Sequence, residues 1–263
     1  MRADKYLSEV FESRTKAAEA ISKGLVLVNG KPIRAKDEIR ETDKIEILSA
    51  EESFVSNGGY KLQRAVKAFS LDFTDKVFVD IGASTGGFTD CLLQNGAKKV
   101  YAVDVGESLL HEKLQNNPAI VIMDNTNARY LTCVDFPEII DGIVTDVSFI
   151  SLRLIFPVIK NVLSDTGEAF VLIKPQFECE KKHIGKSGIV HTSAHAEIVK
   201  KVLGYALENA LYPFGIVNAP IRKGKNVEYI LRLRPYYKGA ESEVAILNKV
   251  KDFVKANSLG ELI

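Results

Sequence analysis

Seven short apolar runs that recur after residue 57 constrain the fold more than any other feature of the sequence. Most of them are separated by segments with the length and pattern of a helix, and buried strands that alternate with helices build a mostly parallel, doubly wound α/β sheet. RKGKN, the connection between the last two runs, is too short for a crossover helix, so we expect the final strand to be an antiparallel hairpin partner. The runs are KVFVDIG, KVYAVDV, AIVIMD, GIVTDV, AFVLIKP, FGIVNAP and VEYILRLRP.

The first part of the chain, residues 1–48, has a different pattern and is predicted to form a small α+β unit. Two short amphipathic segments precede LVLVNGKPI, in which apolar residues alternate around Asn29-Gly30. That dipeptide is the strongest short-range signal for a β-hairpin. Residues 49–56 show no apolar period and are predicted to be a linker, so residues 57–263 form a second, larger domain.

Composition excludes several classes of protein. The chain has 263 residues and a formal net charge of +1, so a nucleic-acid partner must be argued from local basic patches. Its three cysteines, Cys91, Cys133 and Cys179, lie far apart, which favours a reducing, cytoplasmic environment without zinc. Charged residues occupy the N-terminal stretch where a signal peptide is apolar. No apolar run approaches the roughly 20 residues of a membrane span, so no membrane association is predicted.

Acidic residues end four of the predicted strands: Asp80, Asp104, Asp124 and Asp146. The carboxyl ends of parallel strands meet at one rim, where α/β proteins bind ligands. The first of these acids precedes a loop of small residues in VDIGASTGGFTD, residues 79–90. Each acid taken singly also fits a helix cap or a solvated turn. The four together, beside a glycine loop, indicate a binding site.

These acids discriminate between two nucleotide cofactors. A dinucleotide sets its pyrophosphate against a helix N-terminus, and the neighbouring Asp80 disfavours that anion, so a nicotinamide-dependent oxidoreductase is the weaker alternative. S-adenosylmethionine has a sulfonium, an ammonium group and no phosphate. Asp80 can face its ammonium, Asp104 its ribose hydroxyls and Asp124 its adenine amine. The predicted cofactor residues are Asp80, Gly82, Ala83, Ser84, Gly86, Gly87, Phe88, Asp104, Val105, Asp124 and Asn125.

Charged residues of both signs are predicted to share that rim. Asp146 and Lys174 end the fourth and fifth strands, and Glu228 begins the antiparallel last strand. Lys61 lies on a helix before the first strand, where it also fits an ordinary surface lysine. Lys174 follows the apolar run AFVLI and precedes Pro175, which fixes an extended backbone, so a lysine there is costly without a function. A hydroxyl acceptor needs a base or a cation that stabilises its developing charge.

Several stretches resemble the TlyA family, also called hemolysin A, across nearly the whole chain: SNGGYKLQRA, DIGASTGGFTD, AVDVG, TDVSFISL, LIKPQFE, GKSGIVH and GKNVEYIL. The resemblance implies an S4-like RNA-binding domain followed by a Rossmann-like, FtsJ-like methyltransferase domain. It also implies methylation of a cytidine ribose 2′-oxygen in ribosomal RNA. The Lys-Asp-Lys-Glu tetrad of the FtsJ-like group falls on Lys61, Asp146, Lys174 and Glu228, the residues that the strand ends also select.

Basic residues in two regions are predicted to contact the phosphates of ribosomal RNA or of a ribosomal subunit. Acids are nearly as frequent in the N-terminal unit, which also fits a mixed, solvated surface, and the S4-like resemblance favours RNA. The loop IRKGKN adds a basic segment beside Glu228. The predicted RNA-binding residues are Arg2, Lys5, Arg14, Lys16, Lys23, Arg34, Lys36, Arg222, Lys223 and Lys225.

Other features carry less information. His191 and His195 have a spacing that metal ligands on a helix use, but no third ligand is evident, so no metal site is predicted. Phe88 and Phe149 are expected in the core or in a pocket wall rather than as base-stacking platforms. A non-catalytic ribosome-assembly factor and a membrane-active hemolysin stay open as alternatives, although the sequence shows no amphipathic apolar segment. The oligomeric state is not determined by the sequence.

Overall fold

The N-terminal part of the chain forms a small α+β unit. The computed structural model describes residues 1–22, 24–48, 54–220 and 225–258. The elements of the first unit are α1 (Ala3–Tyr6), α2 (Arg14–Ser22), β1 (Val26–Val28), β2 (Lys31–Pro32) and β3 (Ile45–Ile47). The strands are antiparallel in the order β2-β1-β3. Asn29 and Gly30 have φ angles of 53° and 71°, as a type I′ turn requires, and the predicted hairpin is confirmed.

A larger α/β sheet follows, and its strands in the described residues run in the order β6-β5-β4-β7-β8-β10-β9. They are β4 (Val77–Ile81), β5 (Lys99–Val103), β6 (Ile120–Met123), β7 (Ile140–Thr145), β8 (Leu163–Ile173), β9 (Tyr212–Asn218) and β10 (Tyr229–Arg234). Strands β4 to β8 pair in parallel, whereas β10 lies between β8 and β9 and is antiparallel to both. The predicted fold class and the antiparallel last strand are confirmed.

Helices cover both faces of this sheet. Phe78 and Val144 point into one apolar cluster, whereas their neighbours Val79 and Ile143 point into another, as alternation along a doubly covered strand requires. The helices are α3 (Asn57–Phe69), α4 (Gly87–Gln94), α5 (Glu112–Gln115), α6 (Phe156–Val162), α7 (Pro175–Glu178), α8 (His195–Glu208) and α9 (Glu243–Ser258). Among the described helices, none is long and apolar enough to cross a membrane.

The junction between the two units is packed on the helix α3 side. Of the predicted linker, residues 49–53 lie outside the described part of the chain. Phe54 is buried and packs edge-to-face on Tyr60 at 5.1 Å. The Tyr60 hydroxyl donates a hydrogen bond of 2.6 Å to the carbonyl of Gly24 in the first unit. The start of α3, which carries Lys61, therefore contacts the N-terminal unit directly.

Candidate active site

Four charged side chains from separate elements meet at the carboxyl edge of the large sheet. Lys61 Nζ lies 2.8 Å from Glu228 Oε2 and 3.4 Å from Asp146 Oδ2. Lys174 Nζ lies 2.5 Å from Asp146 Oδ1 and donates a 2.7 Å hydrogen bond to Ser148 Oγ. Asp146 thus contacts both lysines, and the four predicted residues form one cluster, called the tetrad below.

Strand register explains why these residues meet. Tyr229 at the start of β10 pairs with Ile173 at the end of β8. The residues just outside that pair, Glu228 and Lys174, therefore emerge side by side. Asp146 follows β7, which is the parallel neighbour of β8. Lys61 reaches the same edge from the first turns of α3.

The tetrad pairs two lysines with two carboxylic acids, and these neighbours affect the titration of Lys61. Burial by itself lowers the pKa of Lys61, but the carboxylates of Asp146 and Glu228 outweigh that effect, so its pKa is raised. Its two carboxylate neighbours therefore favour the ammonium form of Lys61. Lys174 is the more deeply placed lysine, with a side chain 9 % exposed and the Phe177 ring 6.0 Å from its Nζ.

A cavity of about 590 Å³ opens beside the tetrad, and Asp146 is part of its wall. Gly82 and Ser84 line it after β4, and Asp104 lines it after β5. The volume falls in the range of small-molecule and cofactor sites. A molecule that fills this cavity reaches the tetrad at Asp146.

Asp104 is held in a fixed orientation at the cavity edge. Its Oδ2 accepts the N–H of Ser84 and its Oδ1 accepts the N–H of Gly106, each at 2.9 Å. Each carboxylate oxygen has a further lone pair, so both can also accept a hydroxyl group. This arrangement suits the two hydroxyls of a ribose.

Asp80 is fully buried in β4, two residues before Gly82. Its Oδ2 accepts the Thr89 hydroxyl at 2.7 Å, while its Oδ1 has no hydrogen-bond partner among the described residues. Burial raises the pKa of Asp80 to about 7, and the charge of Asp146 adds to the increase. An ammonium group, or a water bridging to one, would satisfy that oxygen, so the cavity and Asp80 together fit S-adenosylmethionine.

The titration of Asp80 predicts a pH-dependent stability. The folded chain keeps this proton up to about pH 7, whereas an unfolded aspartate loses it near pH 4. The free energy by which protonated Asp80 stabilises the folded chain is therefore fully present below about pH 4 and is lost as pH rises through 7. Between pH 5 and pH 8 the loss is on the order of 3 kcal/mol. Urea unfolding should show a larger fall over that interval for the wild type than for Asp80→Asn; equal falls would contradict this assignment.

Comparison with known proteins agrees with this geometry. Residues 54–234 match the model of the FtsJ-like methyltransferase family, and residues 1–45 match the S4 domain. The chain belongs to the FtsJ-like methyltransferase family. The S4 match at the N-terminus, together with the relatives below, confirms the resemblance to the TlyA or hemolysin A group.

Three relatives show how far the similarity extends. The hemolysin A of Brachyspira hyodysenteriae is 42% identical over 88% of this chain and 98% of its own length. The 16S/23S rRNA (cytidine-2′-O)-methyltransferase TlyA of Mycobacterium tuberculosis is 37% identical over 84% of each chain. A solved structure from Streptococcus thermophilus, provisionally called a hemolysin, superposes with a TM-score of 0.71 at 34% identity over 98% of each chain.

The predicted cofactor residues of this FtsJ-like methyltransferase separate into two groups by their position at the cavity. Gly82, Ser84, Asp104 and Val105 line the cavity. The other predicted cofactor residues are absent from the cavity wall: Asp80, Ala83, Gly86, Gly87, Phe88, Asp124 and Asn125.

Helix and loop packing accounts for the position of three residues outside the cavity wall. Phe88 is 2% exposed and belongs to the apolar cluster between α3, α4 and the sheet. A Cβ on Gly87 would lie 2.2 Å from Ser56 Oγ and 2.9 Å from Gly59 N, and one on Gly86 would meet Leu110 and Leu114 side chains. Gly87 lets α3 and α4 approach each other, which sets the position of Lys61, whereas Gly86 leaves room for the leucines that follow β5.

Turn structure and core packing account for the others. Asp124 Oδ2 accepts the N–H of Ser108 at 2.8 Å. Asn125 is exposed with a φ of 52°, and Ala83 packs in a small apolar cluster with Leu110. The strand-end pattern predicted this rim, and the structure shows which of its residues also hold turns.

Phe149 is more exposed than predicted. It lines the cavity, which agrees with a pocket wall, but its residue surface is 90% exposed and therefore not in the core. Its φ of 62° is unusual for a bulky residue and indicates local strain. Its ring lies 4.9 Å from that of Phe177. An open aromatic face therefore stands beside the tetrad.

Sequence reasoning missed the residues that hold the tetrad loops in place. Ser148 Oγ accepts a hydrogen bond from Lys174 Nζ. Glu178, only 4% exposed, accepts the N–H of Leu152 at 2.7 Å and the Ser151 hydroxyl at 2.8 Å, and burial raises its pKa. It ties the loop after β7 to the turn after β8. A glutamate inside LIKPQFE was the available signal in the sequence.

Many predicted RNA-binding side chains form local ion pairs. Arg2 and Arg14 both contact Asp4 at 2.9 Å. The other pairs are Lys16 with Glu12 at 2.6 Å and Arg34 with Asp37 at 3.7 Å. Lys5, Lys36 and Lys225 are exposed. Lys23, Arg222 and Lys223 lie outside the described residues.

The histidine pair has a structural explanation. His195 is 2% exposed, and its Nδ1 lies 2.8 Å from the Tyr229 hydroxyl. Burial lowers the pKa of His195. Within the described residues, no group of three or more His, Cys, Asp or Glu side chains could hold a metal ion.

Proposed function

We propose that this chain transfers a methyl group from S-adenosylmethionine to the 2′-oxygen of a cytidine in ribosomal RNA. The observation that carries the proposal is the position of Asp146, which contacts both tetrad lysines and also lines the adjacent cavity. Donor and acceptor can therefore meet at one carboxylate. The activity named for the Mycobacterium tuberculosis relative supplies the substrate class.

Each tetrad residue has a distinct part in this proposal. S-adenosylmethionine supplies an electrophilic methyl group on a sulfonium. Lys174 contacts the ribose 2′-oxygen: in its amine form it would accept the hydroxyl proton, and as the resulting ammonium it would stabilise the negative charge that develops on the oxygen. Asp146 orients Lys174 and faces the sulfonium. Lys61, in its ammonium form, orients Glu228 and the ribose, so that the oxygen approaches the methyl carbon in line.

Cofactor and RNA are proposed to bind on adjoining surfaces. Asp104 holds the ribose of the donor, and Asp80 compensates its ammonium group through the unpartnered Oδ1. Phe149 offers an open ring to a nucleobase that has left its helix, because proteins that read single-stranded RNA use aromatic faces in this way. Stacking would also compensate for its strained backbone.

The domain assignment is part of the same proposal. Residues 1–48 engage ribosomal RNA, residues 49–56 link the two units, and residues 57–263 transfer the methyl group. A ribosomal substrate implies a cytoplasmic location. The N-terminal unit also contacts α3 through Tyr60, so RNA binding and tetrad geometry are physically connected.

A transfer assay separates this proposal from its alternatives. The purified chain is incubated with S-adenosylmethionine carrying a labelled methyl group and with small or large ribosomal subunits. We expect label in ribosomal RNA. A ribosome-assembly factor would bind the subunits without transferring label, and an oxidoreductase would be stabilised thermally by a nicotinamide dinucleotide instead of by S-adenosylmethionine.

Binding to ribosomal subunits should weaken steeply as salt increases, because lysine and arginine contacts to phosphates release counterions. With about six contacts, affinity should drop roughly 1,000-fold between 50 and 200 mM salt. Lys225→Gln removes a cation near Glu228. It should reduce the slope of log affinity against log salt concentration by about one. Lys238→Gln, beyond the opposite end of β10, is the control and should leave the slope unchanged. A binding constant insensitive to salt would refute the RNA surface.

A further inference from the structure

Asp4 in α1 is a buried carboxylate beneath two exposed arginines. It is 5% exposed. It accepts hydrogen bonds from Arg2 Nε at 3.1 Å, from Arg2 Nη2 at 2.9 Å and from Arg14 Nε at 2.9 Å. The two arginine side chains are 52% and 56% exposed. The anion is therefore hidden, while both cations face solvent.

This arrangement differs from the other ion pairs described in the N-terminal unit, in which the acid is at least 33% exposed. The partner of Lys16 is Glu12, whose side chain is 77% exposed, and the partner of Arg34 is Asp37, which is 40% exposed. In those pairs an approaching polyanion meets both charges. Above Asp4 it meets only guanidinium groups, so this cluster presents a net positive charge of one.

The geometry of the guanidinium groups suits a phosphate. Each has five N–H donors in a planar fork, of which Arg2 uses two and Arg14 one on Asp4. The remaining donors of both groups are available in a fixed orientation, and such forks match phosphate oxygens. Two like charges stay this close because they share one carboxylate. The hydrogen bond from Arg2 lowers the pKa of Asp4 to about 2; burial opposes this shift, and Arg14 adds to it. The carboxylate that both arginines share therefore stays ionised at neutral pH.

We propose that Asp4 is a positioning residue that fixes Arg2 and Arg14 as a single clamp for one backbone phosphate of RNA. The identity of the ligand as RNA rests on the proposed function. The new element is that an acidic residue, Asp4, strengthens RNA binding. Without its charge the two guanidinium groups repel each other and regain rotamer freedom.

The direction in which one substitution changes RNA affinity distinguishes this role from a simple charge effect. Asp4→Asn removes a negative charge from the RNA-binding unit, so charge alone predicts tighter binding. The clamp predicts weaker binding by about tenfold, the size expected when charge-assisted hydrogen bonds are lost. The measurement is the dissociation constant of the full chain for purified ribosomal subunits. Glu12→Gln is the matched control, and its binding should be unchanged or slightly tighter.

A second comparison separates positioning from folding. In an Arg2→Gln/Arg14→Gln background, Asp4→Asn should leave the dissociation constant unchanged, because no clamp remains to be positioned. A purely structural Asp4 would weaken binding again in that background. Affinity for S-adenosylmethionine should stay at the wild-type value in every variant, which confirms that the larger domain is intact.

The arginines test the clamp even where Asp4→Asn does not fold. Arg2→Gln and Arg14→Gln should each weaken binding nearly as much as the double substitution, because a clamp acts as a unit. Independent, additive losses would overturn the proposal, as would tighter or unchanged binding by Asp4→Asn. Absence of binding by the wild-type chain would overturn the proposed function itself.

Discussion

Replacing Lys174 by alanine should reduce methyl transfer by about 1,000-fold or more, while the affinity for S-adenosylmethionine stays within a few-fold of the wild type. A positioned group that stabilises developing charge is worth about 100- to 1,000-fold, and its loss here also leaves Asp146 without its closest cation. Lys174 does not line the cavity wall, so donor binding should persist. Turnover is measured with labelled donor, and affinity by calorimetry.

Two variants make the Lys174 result specific. Lys251→Ala removes an exposed lysine of α9 and should transfer at the wild-type rate. Lys61→Ala should also lose transfer, because Glu228 would remain beside the ribose without the cation that compensates its charge. Wild-type turnover by Lys174→Ala would end the assignment of the tetrad as catalytic.

Gly87→Ala should destabilise the chain by about 2–3 kcal/mol and reduce transfer by roughly 100-fold. The added methyl group would lie 2.9 Å from the backbone nitrogen of Gly59 and 3.0 Å from the Cα of Gly58. Backbone atoms cannot rotate away, so α3 must shift, and overpacking of this kind costs about 1–3 kcal/mol. A displacement of about 1 Å at Lys61 is enough for the loss of rate.

Gly204→Ala is the matched control for that substitution. Gly204 lies in the middle of α8, and no heavy atom other than its own helix backbone and neighbours lies within 4 Å of an added Cβ. The substitution should therefore stabilise the chain by about 0.5–1 kcal/mol, the usual gain in a helix interior, and leave transfer unchanged. Chemical denaturation and the transfer assay measure both variants. Equal free energies of unfolding and equal transfer rates for the two alanine variants would contradict the packing role of Gly87.

The sequence predicted the features that depend on strand order and chain direction. Once the last strand was expected to be antiparallel, Glu228 had to share a rim with Lys174, and the register of β10 on β8 confirms their juxtaposition. The alternation of apolar runs likewise predicted the doubly covered sheet. Such patterns are readable because burial of a face repeats along the chain.

Features that depend on tertiary contacts could not be predicted in the same way. A glycine that admits a helix and a glycine that admits a ligand have the same sequence signature, so the sequence could not show that an added Cβ at Gly87 would meet Ser56 and Gly59. Charge counting in the N-terminal unit could not show that Asp4 is buried beneath Arg2 and Arg14. Both facts follow from which elements pack together, and periodicity does not encode that.

The central claim is that the tetrad methylates a ribose oxygen of a cytidine. Its most direct test is mass-spectrometric mapping of ribosomal RNA after incubation of unmodified ribosomal subunits with S-adenosylmethionine and either the wild type or Lys174→Ala. We expect one or more cytidines to gain a 2′-O-methyl group with the wild type and none with the variant. Methylation of a base, or equal methylation by both proteins, would contradict the account.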